Sequence, residues 1–226
     1  MREYVLLQLK VKAMRDMLFR TRLFTYLAAA TPGLRELVTF GKVWELAQPE
    51  RKVKSGRQYD LVILDAPATG HGVGFLQTPR TFANIARVGP IRAQAETLAA
   101  FITNPRKTGV VIVALPEEMP VNETALLERQ ITGEVGAAVD RIYMNALYPK
   151  RFGAGELERI EPLSQNGGGS VRAACRAAVS QSRRAAAQRE QLARLEELTE
   201  APVRTLPYVF EPELGLGEIR ALAEAI

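Results

Sequence analysis

The period of apolar residues changes several times along the chain, and each change predicts an element. Over residues 3–30, Leu7, Val11, Met14 and Leu18 recur at helical spacing, with Lys12, Arg15, Asp16 and Arg22 on the remaining surface. That pattern predicts an amphipathic helix. Pro32 and Gly33 punctuate it, and a second helix is expected from about Leu34 to Leu46. Residues 51–57 have the polar, basic composition of a linker. Leu61, Val62, Ile63 and Leu64 then run without a break into Asp65. An uninterrupted apolar run of this length suits a strand buried on both faces, as in a parallel sheet. Pro67 and Gly70 predict a turn or loop after it rather than a helix interior.

Beyond His71 the chain reads as helices broken near Gly89 and Pro90 and closed by Asn104 and Pro105. A second buried strand is expected over 109–115, then a loop at 116–120. A helix follows from roughly Asn122, with Asn122 as its candidate cap. Gly133 and Gly136 mark the end of that helix, and a third strand runs from Arg141 to Leu147. Residues 151–170, with Gly153, Gly155 and Gly167 to Gly169, read as a flexible loop. A long helix over 171–199 comes next, with Glu190 and Arg194 at stabilising four-residue spacing. A last strand over 202–206 and a closing helix near Leu216 complete the chain. Strands separated by helices predict an α/β fold, a mostly parallel sheet flanked by helices.

Composition narrows the partners. The 226 residues are 47% hydrophobic, enough for one sizeable core. Net charge is +5, with 30 basic against 25 acidic residues. That excess favours anionic partners such as nucleotide phosphate or an acidic membrane surface. It is too small for a nucleic-acid-binding tail, and nucleic acid is not an expected partner. Cys175 is the single cysteine, which excludes an intrachain disulfide and suits a reducing, cytoplasmic setting. The first ten residues lack the pattern of a signal peptide, and no apolar run reaches 18 residues. For the basic amphipathic start, a helix packed on a sheet is preferred over a membrane-surface helix. Arg172, Arg176, Arg183 and Arg184 are either an anion patch or, the preferred reading, a solvated helix face.

Asp65 is the candidate for chemistry. An acid at the carboxyl end of a buried strand stands where open α/β sheets bind ligands. There it can hold the water shell of a magnesium ion beside phosphates. It can equally cap the loop that follows. Asp65, Ala66, Pro67, Ala68, Thr69, Gly70 and His71 together resemble the switch II sequence of the ArsA-type ATPases, the arsenite-pump and tail-anchored-protein-targeting family, whose usual form is D-T-A-P-T-G-H. Asp65, Thr69, Gly70 and His71 match that form. Ala and Pro are shifted, and the Thr after the acid is missing.

The likeness continues beyond switch II. Glu117 stands where the family carries a loop Glu that contacts the nucleotide, and Glu123 and Thr124 match its following Glu-Thr. Asn145 stands where the family places an Asn that reads the adenine edge, and an amide offers donor and acceptor together. Without the other motifs Asn145 would read as a strand-end turn former. Pro207, Tyr208, Val209 and Phe210 resemble the adenine loop. By this resemblance the chain is expected to be a P-loop NTPase domain of the SIMIBI type, incomplete at its N-terminus. Its segments would be a helical one over 1–54, switch II and central strands over 55–150, the loop over 151–170, and the long helix, last strand, adenine loop and closing helix over 171–226.

No G-x-x-x-x-G-K-[ST] occurs in the sequence, so the backbone cradle and phosphate-binding Lys of a Walker A loop are missing. The chain resembles the carboxyl-terminal two-thirds of an ArsA-type ATPase, with Met1 either an internal start or the first residue of a fragment. The resemblance implies ATP as substrate, Mg2+ held through water by Asp65, and a homodimer or a heterodimer with a related ATPase. It also implies coupling of nucleotide state to helices that bind a cargo or a membrane-protein partner. On its own, the chain is expected to turn over ATP no faster than background. The competing expectations are a non-catalytic subunit that pairs with a complete ATPase, and a membrane-surface adaptor. A single Cys weakens a thiolate arsenite sensor, and the lack of C-x-x-C weakens a zinc clasp.

Overall fold

The computed structural model describes residues 33–49, 58–86, 88–224 and 226. The helix expected over 3–30 and the linker at 51–57 lie outside these residues. The chain divides into two compact units, residues 1–108 with 133–137, and residues 109–132 with 138–226.

The first unit carries three helices among its described residues, and residues 58–68 lie outside them. Helix α1 spans Leu34–Leu46, α2 Thr69–Ile85 and α3 Pro90–Ile102. α1 matches its expected bounds, set by Gly33, whose φ of 85° only glycine adopts readily. Leu37, Val38 and Phe40 of α1, Val73 and Ala83 of α2, and Ala95, Leu98 and Ile102 of α3 make the unit's core. Phe40 and Phe75 meet with ring centroids 4.4 Å apart. Pro90 opens α3 at a position where its missing N–H costs nothing.

The second unit holds the sheet. Strand β1 is Val110–Ala114, β2 Val139–Leu147 and β3 Val203–Pro207, in the order β1-β2-β3 and parallel throughout. Between them lie α4 (Glu118–Gln130), a π-helical turn (Ile131–Val135), α5 (Ala154–Asn166) and α6 (Gly169–Leu198). α7 (Leu216–Glu224) closes the chain. The α/β reading therefore holds, with a parallel sheet flanked by helices.

Several expectations need correction. The apolar run 61–64 forms no strand and enters no sheet, and Leu61 and Ile63 are 75% and 84% exposed. An unbroken apolar run records a strand's composition but not the neighbour that must take up its N–H and C=O groups. Second, β1 is buried on one face only. Ile112 and Ala114 are covered with Ile142 and Met144, whereas Val111 and Val113 are exposed. Third, α4 begins at Glu118, not Asn122. Pro120 sits in its first turn, where proline is tolerated. Asn122 is not a cap but accepts a hydrogen bond of 2.7 Å from Arg194 Nη2.

Fourth, the presumed flexible loop 151–170 is largely helix α5. The Glu156 carboxylate caps its start by accepting the Gly153 N–H at 2.7 Å, and Arg183 of α6 pairs with Glu161 at 2.7 Å. The glycines that suggested a loop lie at its two ends. Arg194, expected to serve Glu190, instead turns to α4, with Glu118 at 3.7 Å besides Asn122.

α4 also carries a buried acid. Glu128 is 5% exposed and accepts the backbone N–H groups of Glu200 and Ala201 at 3.1 and 2.7 Å. It thereby anchors the link from α6 into β3.

Candidate nucleotide site

Because β1, β2 and β3 are parallel, their carboxyl ends share one edge, the edge where open α/β sheets bind ligands. Glu117 follows β1 there. It is exposed, and its carbonyl accepts the Val121 N–H at 3.1 Å as α4 begins. Asn145 lies near the end of β2, and Pro207 to Phe210 run off the end of β3. The second unit thus gathers Glu117, Asn145, Pro207, Tyr208, Val209 and Phe210 along a single edge.

β2 is distorted where Asn145 sits. Its register with β3 slips between Met144 and Leu147, and Ala146 has a φ of 63°. A non-glycine residue in that region is uncommon and needs support. Asn145 supplies some of it, its Oδ1 accepting the Ala146 N–H at 2.9 Å. Gln188 of α6 supplies more, with Oε1 accepting the Tyr148 N–H at 2.7 Å and Nε2 donating to the Ala146 carbonyl at 3.5 Å. Arg189 donates to the Tyr148 carbonyl at 3.3 Å. Pairing resumes at Leu147 and Pro207, and Tyr208 N–H donates to the Leu147 carbonyl at 2.9 Å. The Asn145 Nδ2 donor has no partner among the described residues.

Beside this bulge lies an aromatic cluster. Tyr148 and Tyr208 meet edge to face at 4.8 Å, Tyr208 and Phe210 at 4.8 Å, and Tyr148 and Phe210 at 5.7 Å. The Arg151 guanidinium sits 4.7 Å from the Phe210 ring centre. Phe210 is 51% exposed, so ring surface is left for a planar ligand.

Tyr148, Arg151, Gln188 and Arg189 were not among the sequence candidates. Tyr148 could have been found, since it follows Asn145 by three residues at the same strand end. Gln188 and Arg189 could not, since they lie mid-helix some forty residues away.

The switch candidates belong to the first unit. Ala66 and Pro67 lie in neither helix nor strand, Ala68 is extended, and Thr69, Gly70 and His71 form the first turn of α2, not a loop. Thr69 has a φ of 56°, a costly conformation for a β-branched residue. Asp65 is exposed and makes no hydrogen bond or ion pair among the described residues, and α2 has no side-chain cap. Among those residues no three His, Cys, Asp or Glu side chains cluster as metal ligands. The lone, unengaged Asp65 carboxylate fits magnesium only as a contact to its water shell, with phosphates as the main ligands.

The backbone folds tightly at this turn. A Cβ on Gly72 would stand 2.5 Å from the Pro67 carbonyl oxygen, whereas one on Gly74 would meet nothing within 4 Å. Gly74→Ala is expected to stabilise α2 by about 0.5–1 kcal/mol through helix propensity. Gly72→Ala is expected to destabilise by about 1–2 kcal/mol, since backbone must move to admit the methyl. Paired thermal melts check the opposite signs.

Comparison with known proteins bears on what binds here. Residues 7–91 match the family model for the anion-transporting ATPase of the ArsA type. Over that segment the chain is similar to the ArsA-type ATPases. ATPase BagA of Mycobacterium tuberculosis is 34% identical over 93 residues, covering 41% of this chain and 27% of that protein. ATPase GET3 of Kluyveromyces lactis is 26% identical over 157 residues, covering 58% of this chain and 44% of its own length. The ATPase ASNA1 homolog of Entamoeba dispar is 24% identical over 152 residues, with 53% and 44% covered. The chain therefore spans less than half the length of these relatives. Among the described residues, no helix is long and apolar enough to cross a membrane.

Proposed function

We propose that this chain supplies the base-reading edge and the switch acid of an ArsA-type ATPase that binds and hydrolyses ATP with Mg2+. The observation that carries the proposal is the carboxyl edge of the sheet, where a distorted strand end leaves the Asn145 Nδ2 donor unengaged beside half-exposed aromatic rings. Asn145 donates from Nδ2 to an acceptor on the adenine edge. Tyr208 and Phe210 offer ring surface to the base, and Gln188 and Arg189 hold the strand end in place. Glu117 lines the same edge from the β1–α4 loop. Magnesium, when bound, neutralises phosphate charge. Asp65 orients water on that side, and its segment, running into the strained Thr69, passes a change of nucleotide state to α2. A phosphate loop is required for catalysis and is not encoded in these residues, so hydrolysis belongs to a full-length protein or a partnered assembly. Dimeric pairing with a related ATPase, a cargo or membrane-protein partner and a cytoplasmic setting are parts of the same proposal.

Two variants test base recognition in full-length ATPase. Asn145→Asp keeps the acceptor for the Ala146 N–H and loses the donor, whereas Asn145→Ala loses both. Both are expected to weaken ATP binding by about 1–3 kcal/mol, the worth of a good base-edge contact. Only Asn145→Ala should also lower the melting temperature. Wild-type ATP affinity in Asn145→Asp, by calorimetry, removes the side chain from the site.

A further inference from the structure

We infer a second anion site, separate from the carboxyl edge of the sheet, in the cleft between α5 and α6. The cleft has a volume of about 560 Å³ and is lined by Glu161, Ser164 and Gln165 of α5 and by Arg172, Arg176, Arg183 and Arg184 of α6. That volume is within the usual range for small-molecule sites, roughly 300–1,000 Å³. Arg172, Arg176 and Arg183 are four and seven residues apart, which puts all three on one face of the helix. Among the described residues only Arg183 of these has a counter-charge, Glu161 at 2.7 Å. Arg172, Arg176 and Arg184 have no hydrogen bond or ion pair among the described residues. Like charges one helical turn apart repel, and here no protein carboxylate offsets them.

The ligand follows from the donors. Planar guanidinium forks match phosphate oxygens two at a time and hold them better than single-point ammonium groups. A row of such forks over three turns suits clustered phosphates rather than one. Gln165 stands opposite with a neutral amide, beside Ser164, whose hydroxyl donates to the Glu161 carbonyl at 2.6 Å. The cleft therefore takes a polyphosphorylated group, carried by a soluble molecule or by a lipid headgroup. Glu161 competes for Arg183 and sets the affinity.

Tripolyphosphate is the probe, titrated by calorimetry into the chain at about 150 mM salt, where loose surface pairing is largely screened. Saturable binding is expected, weakened at least about tenfold in Arg172→Gln/Arg176→Gln. Glu161→Gln should tighten it by roughly threefold, since Arg183 is released. Arg204→Gln/Arg220→Gln, which removes as much charge elsewhere, should change it little. Circular dichroism confirms that each variant is folded. Vesicles of phosphatidylcholine with phosphatidylinositol 4-phosphate form the second arm. Tripolyphosphate binding without vesicle binding assigns the cleft to a soluble molecule, and vesicle binding that needs Arg172 and Arg176 assigns it to a headgroup. Binding in neither arm, or equal losses in both double variants, overturns the site.

Discussion

Asp65→Asn in a full-length ATPase is expected to reduce kcat by on the order of a hundredfold or more, with ATP affinity kept within roughly tenfold. The substitution preserves size and removes the charge to which the proposal gives the orienting of water. Its cost to folding should be small. A loop-capping acid would engage backbone N–H groups, and its loss would cost about 1 kcal/mol. Asp65 is exposed and engages nothing among the described residues, so the melting temperature without ligand should stay within a degree or two of wild type, the shift of roughly 0.5 kcal/mol. Melting temperature and kcat measured on one preparation separate the two roles. A destabilised variant with unchanged kcat would make Asp65 a cap.

The largest effect on folding is expected at Glu128. Its carboxylate is 5% exposed and holds two backbone N–H groups at the entry to β3. Glu128→Ala leaves both donors without their protein partner, one on exposed Glu200 and one on half-buried Ala201. Hydrogen bonds to a charged group contribute about 1.5–3 kcal/mol each, and with water able to reach these donors the loss falls at the lower end. A total loss of about 3 kcal/mol lowers the melting temperature by roughly 6–12 °C in a chain of this size. Glu128→Gln keeps an acceptor and should lose only about 1 kcal/mol. The consequence reaches the candidate site, since β3 carries Tyr208 and Phe210 off its end. Thermal melts of both variants check the order, and equal melting temperatures would show that the two bonds contribute nothing.

Sequence patterning reads period well and partnership poorly. α1 was legible because Pro32 and Gly33 punctuate its start, and α6 because a stretch rich in Ala, Arg, Glu and Leu persists over many residues after the glycines at 167–169. β2 and β3 were legible because short apolar runs stop at Pro149 and Pro207. The run 61–64 carries the same composition as a strand, yet strand formation depends on a neighbour that composition does not encode. Helix α5 was hidden because the glycines around it resemble a linker, while its stabilising pairs, Gly153 with Glu156 and Arg183 with Glu161, are visible only in three dimensions. At the site, Asn145 and the Pro207 to Phe210 loop were legible through motif likeness. The bulge at Ala146 and its bracing by Gln188 were not, because they depend on a contact across some forty residues.

The proposal rests most directly on the Asn145 side chain touching the base. Its amide resonance in 15N-labelled full-length protein can be assigned by its disappearance in Asn145→Asp. Saturating ADP with Mg2+ should shift that resonance, and GDP, with a different base edge, should leave it near its ligand-free position. An Asn145 amide resonance unmoved while ADP is demonstrably bound would contradict adenine reading at this edge.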